Sequence, residues 1–150
     1  MSTKISLEFQ TQIDLEFLSK GILVRLIRLR GTVQLKTNTG WSSEEDAIVD
    51  TGNPISIILR SIWGQADVRI LLPDTTKIFG LSSDDDVGLP DKLGEVVLVF
   101  KDEQATSPPI KLKAHLLDDD SAPFIIGYED VLTETKLVSD YKALSTYLEI

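Results

Sequence analysis

Polar and apolar residues alternate at the start of the chain: Ile5, Leu7 and Phe9, then Ile13, Leu15 and Phe17, with Thr11 between them. A period of two over that span predicts half-buried strand, either one long strand or a bent pair. Ser19-Lys20-Gly21 predicts a turn, and Ile22 to Lys36 predicts further strand. Within that strand Arg25, Arg28 and Arg30 interrupt the apolar face, and Gly31 marks a bend or bulge. Val33 and Leu35 are expected to face inward, with Thr32, Gln34 and Lys36 outward. Asn38-Thr39-Gly40 closes the strand, and Trp41 to Asp46 reads as a polar loop.

Beyond residue 46 the pattern changes to continuous apolar runs. Ala47-Ile48-Val49 leads into Asp50-Thr51-Gly52, and a second apolar run leaves it through Ile55, Ile57 and Ile58. The first run has the β-branched content of a buried strand. Ile57 to Trp63 fits either a short helix or a continuing strand. Val68 to Leu72 predicts a strand ended by Pro73-Asp74. Thr75 to Leu81 and Lys92 to Phe100 predict two strands around an Asp- and Gly-rich segment, Ser82 to Pro90, which together make a long hairpin.

Ile110 to Leu116 alternates cleanly, with Lys111, Lys113 and His115 on the outward face. Asp118 to Pro123 reads as a loop and Phe124 to Ile126 as a short buried strand. Glu129 to Thr135 suits a short helix, and Leu137 to Tyr141 with Thr146 to Ile150 suit a terminal pair of strands. The whole predicts an all-β domain spanning residues 1–150, with one or two short helices.

Composition narrows the chemistry. The chain has 150 residues, 42% of them hydrophobic, and a formal net charge of −9. That charge argues against nucleic acid or an anionic membrane as a partner. There is no cysteine, so thiol catalysis, disulfides and thiolate metal sites are excluded. The opening Met-Ser-Thr-Lys-Ile-Ser lacks the apolar core of a signal peptide, and no apolar run is long enough to span a membrane. A cytoplasmic location is the expectation.

One histidine leaves little room for a Ser-His-Asp triad or a zinc site, and His115 is expected to be solvated between lysines. Asp84 to Asp86 and Asp118 to Asp120 do not have the spacing of a calcium loop and read as solvated loops. No metal or cofactor is expected. The remaining candidate is Asp50. A carboxylate directly after a buried strand is costly unless its charge is used.

The apolar residues framing Asp50-Thr51-Gly52, with Ser56 four positions after Gly52, resemble the active-site loop of retropepsin-like aspartic proteases. Ala122-Pro-Phe-Ile-Ile-Gly-Tyr-Glu-Asp-Val-Leu132 is similar to that family's second signature, an apolar pair and glycine before a short helix; Gly127 lies 77 residues after Asp50. The tail, Lys136 to Glu149, resembles the closing strands of bacterial-type members. The chain departs from the family at Asn53 and Pro54, where Ala or Ser and then Asp are usual, and at Tyr128, where Arg is usual.

The resemblance implies a closed β-barrel, an acid-protease half with a flap hairpin. It implies Asp50 as the catalytic residue, with Thr51, Gly52 and Ser56 supporting the loop. Gly52, Asn53, Gly80 and Gly88 are the implied substrate contacts. There is no second Asp-Thr-Gly, so a dyad requires a twofold homodimer in which each chain contributes one Asp50. In such dimers the terminal strands interleave, which points to Ile5 to Phe9 and Thr146 to Ile150 as the interface. The implied partner is an extended peptide or protein substrate. The alternative is a catalytically inactive module of the same fold that dimerises or binds peptide.

Overall fold

The computed structural model describes residues 2–78 and 89–150. Among them lie eleven strands and two short helices: β1 (Lys4–Ser6), β2 (Glu8–Ile13), α1 (Leu15–Ser19), β3 (Arg25–Leu35), β4 (Glu45–Val49), β5 (Ser56–Ile58), α2 (Arg60–Trp63), β6 (Arg69–Ile78), β7 (Leu89–Lys101), β8 (Ile110–Leu117), β9 (Ile125–Ile126), β10 (Lys136–Asp140) and β11 (Ser145–Glu149). A single 3-10 turn covers Leu132–Glu134. The all-β expectation holds.

The larger sheet runs β2-β3-β4-β9-β5-β8-β7-β6, and an additional β3–β7 pairing closes six of its strands into a ring. Closure works because β3 is long. The first part of one edge, residues 25–30, pairs with β2, and the last part, residues 32–35, pairs with β7. The strands alternate as a barrel requires. Val33, Leu35, Val49, Ile58, Leu98, Leu112, Leu116 and Ile126 point into one core, while Ile48, Ile57, Leu117 and Ile125 join a second cluster on the other face.

Several expectations change on contact with the packing. The N-terminal alternation does break into a pair, β1 and β2, but Leu15 and Phe17 fall in α1. Asp14 caps that helix by accepting from the Glu16 and Phe17 backbone N–H groups, which ends the strand. Gly31 makes no bulge: Arg30, Gly31 and Thr32 pair in regular register with Ile48, Ala47 and Asp46. A Cβ there would come within 2.9 Å of Leu7 Cδ2 and 3.4 Å of the Phe100 ring, so the glycine serves close packing. Pro73 does not end a strand, because β6 lies at the edge of the sheet and continues through it with register shifts. Ile57 to Trp63 contains both alternatives in turn, β5 then α2.

The smaller sheet has the order β1-β11-β10. β11 is therefore flanked on both sides by strands of its own chain, with Ile5 opposite Leu148 and Leu137 opposite the same residue. The C-terminal strand therefore offers no free edge to a partner, whereas β1 lies at the edge of this sheet and β2 at the edge of the larger one. No helix among the described residues is long and apolar enough to cross a membrane.

Asp102, just after β7, ties this sheet to the barrel. Its Oδ2 accepts from the Ser6 N–H at 2.7 Å, and Oδ1 accepts from the Gln104 and Ala105 N–H groups at 2.8 Å each. The Ser6 hydrogen bond is the main reason its pKa lies below the ordinary 3.8, with burial opposing it. A depressed carboxylate contributes stability that is present above pH 3.8 and lost as pH falls through the lower folded value. Asp102→Asn should therefore cost about 1–2 kcal/mol near pH 6. The difference from the parent should shrink as both proteins are acidified below about pH 4, measured by urea unfolding across pH.

Candidate active site

β4 delivers Asp50. Ala47, Ile48 and Val49 are buried, and the chain leaves the barrel at Asp50, half-buried, with Thr51 and Gly52 exposed. The loop closes on its own carboxylate. Asp50 Oδ1 accepts from the Gly52 N–H at 2.8 Å, and Oδ2 accepts from the Asn53 side-chain amide at 2.7 Å. The Asn53 N–H also reaches the Asp50 carbonyl at 3.3 Å. Asn53, expected to touch substrate, here steadies the acid.

The segment from Ala122 to Leu132 meets the Asp50 loop through its backbone. β9 runs parallel to β4 and antiparallel to β5, so it lies between the strand that enters the Asp50 loop and the strand that leaves it. The Asp50 N–H donates to the Ile126 carbonyl at 2.9 Å. Buried Ser56 accepts from the Gly127 N–H at 2.9 Å. The two departures from the family pattern also meet: the Tyr128 N–H donates to the Asn53 carbonyl, and the Glu129 N–H to the Pro54 carbonyl, each at 2.9 Å. These main-chain bonds brace the loop.

After Gly127 the chain makes a turn and the short 3-10 segment, not a regular helix. Asp130 adopts a left-handed conformation there, with φ 65°. Its carboxylate accepts from the Lys113 N–H at 2.9 Å and pairs with the Lys113 ammonium at 2.8 Å. Burial pushes the Asp130 carboxyl up, but the Lys113 ammonium and N–H outweigh it and leave the pKa below its ordinary value.

A cleft of about 380 Å³ opens over Asp50, lined also by Thr51, Asn53, Ile27, Arg28, Pro123 and Tyr141. No local pattern in the sequence ties Ile27, Arg28 or Tyr141 to Asp50. A cleft of about 440 Å³ elsewhere holds two ion pairs, Arg30 with Asp46 and Lys101 with Glu44, and is also lined by Glu8, Asp102 and Glu103. Gly80 and Gly88, the expected flap contacts, lie outside the described residues, as do Asp84 to Asp86. The stem of that hairpin is the β6–β7 pair.

Of the two remaining expectations one changes, since His115 is covered, and one holds, since Asp118 to Asp120 are exposed in a loop. His115 is not solvated: its side chain is 19% exposed and its Nδ1 hydrogen-bonds Asp91, whose side chain is 0% exposed. Asp91 sits diagonally across the β7–β8 ladder, so the outward face of β8 is covered at that end. The run Asp118 to Asp120 serves local structure. Asp118 pairs with Lys92, Asp119 accepts from the Ser121 N–H, and Asp120 accepts from the Ser61 N–H at the start of α2. Among the described residues no group of three or more acidic or histidine side chains is arranged to hold a metal ion.

No family model, curated protein or solved structure matches this chain.

Proposed function

We propose that the chain is an aspartic endopeptidase whose site is completed in a homodimer by one Asp50 from each copy. The observation that carries this is the position of Asp50. It is one carboxylate at the end of a buried barrel strand, on a loop whose next two residues are exposed, lining a cleft of about 380 Å³. Water attack on an amide needs a base and an acid together. One ionised Asp50 takes the proton of the attacking water while its protonated partner hydrogen-bonds the carbonyl oxygen. The tetrahedral intermediate then collapses as the C–N bond breaks and the departing nitrogen takes up a proton. Two carboxylates held close share a single proton, which supplies both forms at once. No cofactor enters these steps.

A specific observation favours the second reading, a peptide-binding module without catalysis. The Asn53 amide already occupies Asp50 Oδ2. Incubation of pure protein with an unstructured protein substrate between pH 4 and 7 separates the two. Under the proposed reading Asp50→Asn folds and dimerises normally but loses cleavage, and residual activity within tenfold of the parent removes Asp50 as catalyst. Excess Asp50→Asn chains, allowed to exchange subunits, should also inhibit the parent, because mixed dimers carry one ionisable carboxylate.

A further inference from the structure

Residues 10–28 form an arm with no buried residue, although most of them are folded as β2, α1 and the first part of β3, with a turn between α1 and β3. A two-stranded hairpin alone in water is only marginally stable, and one that exposes apolar residues needs a covering surface. The arm exposes many. Cross-strand pairing puts Ile13, Ile27, Phe9 and Leu29 on one face, so the apolar stripe starts in the core and continues outward. Beyond it, α1 and the turn add Leu15, 75% exposed, with Phe17, Leu18, Ile22 and Leu23, the last 57% exposed.

This surface is continuous with the candidate site. Ile27 and Arg28 line the Asp50 cleft, and Tyr141, at the same cleft, packs edge-on against Phe9 with ring centroids 5.3 Å apart. We infer that the arm docks on a second copy of this chain and brings the two Asp50 loops together. The inference rests on the peptidase reading for its geometry, since a site with one carboxylate is incomplete without the other copy.

Three observations select a second copy over other occupants. The C-terminal strand β11 is already paired on both sides within the chain, which removes half of the expected dimer contact. The arm carries charges of both signs, Asp14 and Glu16 against Lys20, Arg25 and Arg28, in a chain of net charge −9. Arg25 and Arg28 make no ion pair among the described residues. Glu16 pairs with Lys20 and Asp14 caps α1, so Arg25 and Arg28 are the charges left to meet the acidic excess of a second copy, whereas an anionic bilayer meets the repulsion of the remaining surface. Size agrees as well: a stable interface engages about 20–30 residues a side, which the arm and the rim of the cleft supply.

The test compares the parent, Leu15→Lys/Leu23→Lys and the control Leu15→Met/Leu23→Met by sedimentation, with thermal melting alongside. Both positions are exposed and lie outside the cleft, so the barrel should melt as in the parent. The lysine variant should raise the dimer dissociation constant by about 100-fold, and the methionine variant should leave it within a few fold. A parent that is monomeric at all concentrations overturns the inference, as does a lysine variant that dimerises like the parent. A monomeric parent captured by anionic vesicles also overturns it. If the parent and Asp50→Asn both dimerise through the arm but neither parent nor methionine variant cleaves substrate, the arm stands and the peptidase reading falls. If the parent cleaves with second-order dependence on its own concentration while the lysine variant still dimerises, the reverse holds.

Discussion

Removing Thr146 to Ile150 should unfold the chain, not merely separate two copies of it. β11 is the central strand of its sheet, with three residue pairs to β1 and five to β10. Leu148 and Ile5 face each other, both fully buried, and both pack into the main core. The Leu7 N–H donates to the Thr146 carbonyl at 3.0 Å, and Thr3 and Ile150 exchange two further backbone bonds. Deleting a buried leucine costs about 2–5 kcal/mol by itself. The orphaned edges of β1 and β10 and the opened core add to that, against a total stability on the order of 5–15 kcal/mol. Circular dichroism and thermal melting read the outcome directly. Leu148→Ala gives the graded version, a loss of about 3–4 kcal/mol in urea unfolding with the fold retained. A truncated chain that melts like the parent but sediments as a monomer would restore the terminal strands as the dimer contact.

Much of the barrel is legible in local pattern, and the exceptions share one cause. β8 follows from strict alternation, β4 from its short apolar run, and β10 with β11 from two runs around a turn. Each of these is decided by residues a few positions apart. Closure of β3 onto β7 joins residues more than sixty positions apart, and no local period encodes it. The alternation at Ile13, Leu15 and Phe17 suggests a strand face with something to pack against, but nothing among the described residues covers it. There Asp14 and its cap decide the local structure. His115 follows its strand's alternation and still becomes covered, because its neighbour Asp91 comes from another strand. The site divides in the same way. Asp50, Thr51, Gly52 and Ser56 stand out within one short stretch, and the apolar pair before Gly127 marks the second element. That Asn53 turns back on Asp50, and that Tyr128 joins Asn53 by its backbone, depends on how the two segments are docked. A resemblance in residue types does not carry that information.

The docking itself hinges on Gly127. A Cβ at that position would lie 2.5 Å from the Asn53 carbonyl oxygen, 3.1 Å from the Ile55 carbonyl carbon and 3.2 Å from the Asn53 carbonyl carbon. All three are backbone atoms of the Asp50 loop or its exit, so no side-chain rotation relieves the contact. Gly127→Ala must push residues 127–129 away from residues 53–56. That movement stretches the Tyr128–Asn53 and Glu129–Pro54 backbone bonds and draws the Gly127 N–H away from buried Ser56. A forced backbone shift with a buried hydroxyl left unpartnered should cost about 2–4 kcal/mol. Under the peptidase reading the effect on cleavage should be larger than stability alone implies, about 100-fold or more, because misplacing the carboxylate by an ångström spoils the dyad. Ser56→Ala removes only the hydroxyl and should cost about 1–2 kcal/mol with the loop still seated. Urea unfolding of both variants, beside cleavage rates at temperatures where each is folded, separates bracing from folding. A Gly127→Ala protein as stable as the parent would mean that the two segments are not held together in this way. One that is destabilised but cleaves at the parent rate while folded would mean that the bracing does not position Asp50.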